Sequence, residues 1–401
     1  MKIPYLTADL AGTGGLLKQQ PEDFCVEEIP AYLPCGSGEH LYLLVEKEGL
    51  STFALIEQLS QVLRLPRDRF GYAGLKDTQA RSRQWLSIAG ARAEQLEALT
   101  LPQVRLLQLS RHGNKLRLGH LRGNRFSIRL RQVESDALDR AQAILQRLQQ
   151  QGVPNRFGPQ RYGVLGNNAA VGRALLQQDF DRALAEIIGP PARITNERWR
   201  QAAEAFAAGD RTTACAALPA AMRDERRLLQ QLQQGRSPRQ AVLGLPRKRL
   251  ALYLSAWQSA FFDRLVTERL TSLGQLWPGD IAYIHAKGAC FRVSDAAAEQ
   301  PRASAGEISP AGLLPGSRAL TSEGAMAHLE QQLLAAEQLP ADAFTALKGL
   351  HLAGERRPLR VFPADCHCQA ADGDLMVRFS LPAGCFATSV LREIRKTATE
   401  D

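Results

Sequence analysis

The chain has 401 residues, with 50 Lys and Arg against 41 Asp and Glu, and a formal net charge of +9. Its length suffices to bury a core without a disulfide or metal staple, and 45% hydrophobic with 23% charged residues excludes wholesale disorder. It contains no apolar run long enough for a membrane-spanning helix. The start, Met1 to Tyr5, opens no apolar signal segment, so a cytoplasmic protein is expected.

In chain order, residues 1–131 read mostly as strands and turns. Residues 41–46 read as a buried strand. Ser51 is placed to cap a helix with Phe53, Ile56, Leu59 and Leu63 on one face. Residues 84–89 form a second strand pattern, followed by Gly90 and a polar helix. Residues 125–131 alternate with period two, with Phe126, Ile128 and Leu130 on one side and Arg125, Arg129 and Arg131 on the other. Ser135 is placed to cap a helix bearing Leu138, Ala141, Leu145 and Leu148, which Gly152-Val153-Pro154 ends. Residues 165–350 turn rich in Ala, Gln and Leu and read as mainly helical. Their clearest helix carries Leu254, Trp257, Phe261 and Leu265. Residues 280–284 read as a short strand and 296–318, rich in Ala, Pro, Gly and Ser, as loop. Strand character returns at 375–381, where Leu375, Val377, Phe379 and Leu381 share a face. β-rich ends around a helical middle imply one α+β domain made from both termini, holding a second inserted domain.

The charge is concentrated in places. Seven basic residues and no acid lie between Arg111 and Arg131. That stretch is expected to contact nucleic acid or phosphate. A second cluster, Arg223 to Arg249, includes Asp224 and Glu225 and reads equally well as helix surface. The seven cysteines (Cys25, Cys35, Cys215, Cys290, Cys366, Cys368 and Cys385) are scattered, which fits a reducing compartment. Only Cys366-His367-Cys368 is clustered. On an extended segment its cysteines and histidine face opposite ways, so no metal site is expected.

Three segments have the residues for chemistry. In 71–80, two glycines precede an adjacent Lys76-Asp77 at a turn, where a carboxylate can act as nucleophile or general base. Taken alone, such a pair is as readily an exposed surface pair. In 155–163, Arg, aromatic and amide side chains suit stacking on unpaired bases, or a hinge held by Gly158 and Pro159. In 381–389, Phe386 beside Gly384 is either a loop aromatic over a base or a core plug.

Together these segments resemble one family. Gly74-Leu75-Lys76-Asp77 with Ala80, Arg122-Gly123-Asn124-Arg125-Phe126, Val153-Pro154-Asn155 with Phe157-Gly158 and Gln160-Arg161, and Leu381 to Ser389 are similar to the TruD family of pseudouridine synthases. So are Gly14-Gly15-Leu16-Leu17-Lys18, Pro21-Glu22-Asp23-Phe24 and Val26-Glu27. The resemblance implies an α+β fold: a pseudouridine synthase catalytic domain (1–151 plus 362–401) with a mixed, largely antiparallel sheet, interrupted by an inserted α/β TRUD domain (152–361). It implies isomerisation of uridine 13 of transfer RNA, with no metal or organic cofactor and no obligate protein partner; the sequence leaves the oligomeric state open, a monomer being the first expectation. By position, Asp77 falls on the family's catalytic aspartate. Phe24, Asn124 and Phe386 fall on residues that hold the target nucleotide. Lys18 and Lys76 fall on basic positions near the site, and Phe126 falls where other pseudouridine synthases carry a stacking Tyr. Cys385 stands where Ser is more usual, and residues 180–250 are long and Arg-rich for the bacterial family. The alternative is a non-catalytic RNA-binding or chaperone protein using the same basic surface.

Overall fold

The computed structural model describes residues 3–97 and 101–397. The chain forms two compact units: Pro4–Val153 with the chain from Val361 onward, and Pro154–Arg360 between them in sequence. The first unit runs β1 (Gly14–Leu16), β2 (Phe24–Pro30), β3 (His40–Glu48), α1 (Thr52–Leu63), β4 (Phe70–Tyr72), β5 (Arg81–Ala89), α2 (Ala93–Glu97), β6 (Val104–His112), β7 (Leu121–Val133) and α3 (Ala137–Gln151), and ends at β8 (Val153–Pro154). The second holds α4 (Asn168–Leu176), α5 (Phe180–Ile188), α6 (Glu197–Ala207), α7 (Arg211–Ala217), α8 (Arg223–Gln233), α9 (Pro238–Leu243) and α10 (Arg247–Glu268). It continues with β9 (Ile281–Ile284), β10 (Ala289–Arg292), α11 (Ala296–Ser304), β11 (Ile308–Leu314), α12 (Gly324–Ala336) and β12 (Glu355–Pro358). The chain re-enters the first unit through β13 (Arg360–Val361), β14 (Ala364–Ala371), β15 (Asp374–Pro382) and α13 (Ala387–Arg395).

The first unit is built on one mixed sheet of order β14-β15-β7-β2-β5-β3-β6, with β1 beside β7 and β4 beside β5. Its pairs are antiparallel except β2 with β5. Register puts Phe126, Ile128 and Leu130 of β7 opposite Phe379, Val377 and Leu375 of β15, all buried on one face. Over them lie α3, through Ala141, Ile144, Leu145 and Leu148, and α13, through Val390, Leu391 and Ile394. On the same face, α1 covers Leu41, Leu43 and Val45 of β3 and Leu86 and Ile88 of β5. At about 25 cal/mol per Å² of apolar surface removed from water, these two helical patches hold the sheet together.

One helix face and one helix start differ from expectation. Ser51 does cap α1, accepting from Ala54 N at 3.1 Å, but Leu55 takes the inward place expected of Phe53. Phe53 stays exposed, its ring edge-on to Tyr72. At α3 the cap position is Asp136, not Ser135, and Leu138 sits at the edge of the buried stripe, with Ile144 inside it.

In the second unit, α10 is the central helix, burying Leu254, Trp257, Phe261 and Leu265. An antiparallel sheet of order β10-β9-β11-β12 accompanies it. The stretch 296–318, expected as loop, forms α11 and β11. Asp295 starts α11 by accepting from Ala297 N and Ala298 N, both at 3.0 Å. β11 is buried at every residue, and its small side chains admit close neighbours: a Cβ on Gly312 would meet Leu359 at 2.8 Å and Phe262 at 3.0 Å. Small-residue composition here reflects tight packing, not a loop.

The basic outer face of β7 is not the uncompensated surface its local sequence suggested. Arg125 meets Glu27 at 3.7 Å, Arg129 meets Asp374 at 3.5 Å, and Arg131 forks onto Asp23 with both nitrogens at 2.8 Å. The acids come from neighbouring strands and from before β2, so a local count misses them. Arg117 and Arg122 are exposed and form no ion pair among the described residues. In the second cluster, Arg249 pairs with Asp224 at 2.7 Å and with Glu225.

Candidate active site

Along one edge, β5 changes partner. Its residues Leu86 to Ile88 pair with β4, and Arg81 to Arg83 pair with β2. Residues 73–80 bridge the change and carry Asp77. Between the two partners the Trp85 N–H has no strand to donate to, and Glu28 of β2 takes it with Oε2 at 2.9 Å. The motif 71–80 is therefore fixed by topology as well as by its glycines. A Cβ on Gly71 would lie 2.3 Å from Leu116 O, and one on Gly74 would press on Leu121, Glu28 and the Lys76 amine at 3.3–3.5 Å.

Lys76 and Asp77 point to different surroundings. Lys76 is buried, its ammonium 2.9 Å from Glu28 Oε1 and donating at 2.9 Å to Asn124 Oδ1. Its backbone N–H donates to Thr52 Oγ1 at 3.0 Å, and Thr52 in turn donates to Gln84 Oε1 at 2.9 Å. Burial pushes the Glu28 carboxyl above its ordinary range, against the pull of Lys76 and the Trp85 N–H. Asp77 has its side chain exposed, while its backbone carbonyl accepts from the Lys47 ammonium at 3.3 Å. Lys47 also donates to Leu50 O. Burial lowers the Lys47 amine to about 8, although Asp77 draws it back up. The Asp77 carboxylate has Lys18 Nζ at 4.0 Å from Oδ2. Lys18 also stands over the Phe24 ring, 4.5 Å from its centroid.

Phe24 and Phe126 are buried against each other edge to face, with centroids 6.3 Å apart, and Phe126 leans on Phe379 at 5.3 Å. Asn124 lies opposite Glu28 on β2 and Leu381 on β15. Phe386 is half-buried at the N-cap of α13, four residues past the end of β15. The structure thus gathers Lys18, Phe24, Lys76, Asp77 and Asn124 around the β2–β5 crossover. It places Phe126 in the floor beneath Phe24, and Phe386 on the segment that follows the strand beside Asn124.

Sequence reasoning missed Glu28, Lys47 and Thr52. The signal for two of them was phase. Glu28 has the inward phase of Phe24 and Val26, and Lys47 that of Leu41, Leu43 and Val45, so each is a charge at a core position. The segment 155–163 belongs to the second unit and knots around Asp263 of α10. Phe157 N donates to Asp263 Oδ1 at 3.1 Å and Tyr162 OH to Oδ2 at 2.6 Å.

These positions can be set beside known proteins. The chain matches the family described as tRNA pseudouridine synthase D (TruD) over residues 1–394. This chain belongs to the TruD family. It is 52% identical over 393 residues to the tRNA pseudouridine synthase D of Syntrophotalea carbinolica, covering 98% of this chain and 99% of that one. It is 48% identical over 398 residues to the protein of the same name from Geobacter metallireducens, covering 99% and 98%. A crystal structure from Methanosarcina mazei, described as a TruD protein, superposes with a TM-score of 0.83 at 25% identity over 99% of both chains. The α+β fold with its largely antiparallel mixed sheet is therefore the fold of this TruD structure. Among the described residues, no helix is long and apolar enough to cross a membrane.

Proposed function

We propose that this protein isomerises uridine to pseudouridine in transfer RNA, at position 13, with Asp77 as the essential carboxylate. The observation that carries the reading is the placement of Asp77. It is an exposed carboxylate on a loop whose backbone Lys47 grips, with Lys18 beside it and the aromatic floor of Phe24 and Phe126 next to Lys18. The family relationship supports the reaction class, and the names of the relatives support transfer RNA as substrate. In this reading the unit made from both chain ends, 1–151 with 362–401, is the catalytic domain, and 152–361 is the inserted TRUD domain. The protein works in the cytoplasm, where its substrate is found.

The reaction breaks the C1′–N1 bond, turns the uracil, joins C5 to C1′ and releases the C5 proton, while N1 gains one. No electrons are exchanged with a partner. Asp77 serves either by adding to the base or sugar, or by assisting departure and then removing a proton. The target base leaves its stack at a cost of a few kcal/mol. Contact with an aromatic side chain offsets about 1–3 kcal/mol of that. In this reading Phe386, half-buried on its turn, covers the base, with Phe24 and Phe126 as floor, Asn124 and Lys18 as polar contacts, and Lys76 behind Asn124.

The test is transfer RNA tritiated at uridine C5. The wild-type protein is expected to release tritium and to leave pseudouridine at position 13 by chemical mapping. Asp77→Asn should bind the RNA and release none. Binding with no pseudouridine formed by the wild type would favour a non-catalytic RNA-binding protein instead.

A further inference from the structure

Lys76 follows Gly74 and Leu75 and precedes the exposed Asp77, yet its ammonium is spent inside the protein. It lies 2.9 Å from Glu28 Oε1 and 2.9 Å from Asn124 Oδ1, with its side chain 5% exposed and that of Glu28 1% exposed. Glu28 and Asn124 are cross-strand neighbours on β2 and β7, so one ammonium reaches both. Glu28 is held in turn by the Trp85 N–H at 2.9 Å, and Lys76 by Thr52 at its own backbone N–H.

An ammonium has three donors and no acceptor, so the Asn124 atom that meets it is the carbonyl oxygen. The amide NH2 is then turned away from Lys76. Asn124 Nδ2 has no protein partner among the described residues. With its oxygen held against Lys76, the end of the amide left to face outward is the NH2, a donor. Glu28 makes this arrangement stable, because a buried ammonium needs an opposite charge. Asn124 shares a face of β7 with Phe126, whose ring meets that of Phe24, over which Lys18 stands beside Asp77.

We propose that the Glu28–Lys76 ion pair is a positioning device that fixes the Asn124 amide, so that Asn124 presents only N–H donors to the target base and binds a carbonyl oxygen of uracil. This rests on the isomerase reading and deepens it. Lys76 is then not a substrate contact: it acts through Asn124. Donor-only presentation also makes the site selective, since it pairs with a carbonyl and opposes an amino group at the same place.

The experiment uses the full chain and tritiated transfer RNA. Asn124→Asp keeps an oxygen for Lys76 and removes the amide hydrogens, and should lower kcat/KM at least about tenfold, as should Asn124→Ala. Melting temperature and RNA affinity should be held. A second arm replaces either uracil carbonyl by thiocarbonyl, a poorer acceptor. One of the two substitutions should cost the wild type about fivefold in kcat/KM. The same substitution should cost little in Glu28→Gln/Lys76→Met, which removes both buried charges together. The proposal is overturned if Asn124→Asp turns over at the wild-type rate, or if the thio penalty is the same in the wild type and the double variant. Failure of the wild type to release tritium at all overturns the isomerase reading, and this proposal with it.

Discussion

Lys18 Nζ lies 4.0 Å from Asp77 Oδ2 and at the same time 4.5 Å from the centroid of Phe24. Lys18 adopts φ 54°, a left-handed conformation that costs a non-glycine residue about 1–2 kcal/mol. The side chains are 24% and 43% exposed, so the pair contributes little to stability. What the strained backbone secures is a positive charge beside the Asp77 carboxylate. Lys18→Met is therefore expected to leave the melting temperature nearly unchanged and to slow single-turnover tritium release by about 10²-fold. Lys18→Arg should recover part of the loss. Release from Lys18→Met at the wild-type rate would remove Lys18 from the mechanism.

The second prediction concerns Lys47, which is buried and grips Asp77 O and Leu50 O. Burial lowers its amine from 10.5 to about 8 in the folded protein. Between pH 8 and 10.5 the unfolded chain therefore holds a proton that the native state lacks. The stability contribution of Lys47 then rises with pH across that window and is smallest below pH 8. Urea denaturation of the wild type and Lys47→Met should show the wild type gaining on the variant by on the order of 2 kcal/mol from pH 7.5 to 10. A constant difference across that range would contradict the burial of this charge.

A third follows from the arginines of β7 and its approach. Arg125 and Arg129 are partly neutralised by Glu27 and Asp374, while Arg117 and Arg122 are exposed without an acid. Replacing Arg117 and Arg122 by Gln should weaken transfer RNA binding and reduce the slope of log K against log salt by about one for each phosphate that is no longer neutralised. Arg125→Gln/Arg129→Gln should change the slope less. Arg131→Gln should instead lower stability, because it breaks a two-nitrogen fork onto the buried Asp23. Equal slopes for the two pairs would show that ion pairing on the sheet does not decide which arginines meet RNA.

Local patterns were legible where one physical rule acted alone. The period-two strands β7 and β15 and the capped start of α1 follow from alternation and from a serine before an apolar stripe. Rules acting between distant segments were not legible. Nothing in 111–131 shows that Glu27, Asp23 and Asp374 lie against its arginines, since those acids are about 100 or more residues away in the chain. Small residues in β11 looked like a loop because packing density has no local signature. At the site, family resemblance supplied Asp77, Asn124 and Lys76 as positions, but it could not show that Lys76 meets Glu28 and Asn124. That contact depends on the change of β5 partner from β4 to β2.

The final prediction lies in the second unit, where 155–163 read as a base-stacking loop or a hinge. Its Phe157 N–H and Tyr162 OH both donate to Asp263, at 3.1 and 2.6 Å, and Arg156 donates to the Asp263 backbone carbonyl at 2.7 Å. Burial raises the Asp263 carboxyl to about 6, against the pull of those two donors. Removing the carboxylate leaves two part-buried donors without their acceptor, a loss of about 1–3 kcal/mol for each that water does not satisfy. Asp263→Ala is therefore expected to destabilise the protein by about 2–4 kcal/mol. The folded value lies above the ordinary 3.8, so the native state holds the proton more tightly than the unfolded chain. The stability this confers is fully present below about pH 4 and is lost as pH rises through 6. Denaturation from pH 4 to 7 should show the wild type losing ground against Asp263→Asn, which cannot titrate. If Asp263→Ala unfolds like the wild type, the knot does not hold the segment, and 155–163 would be free to act as a binding loop.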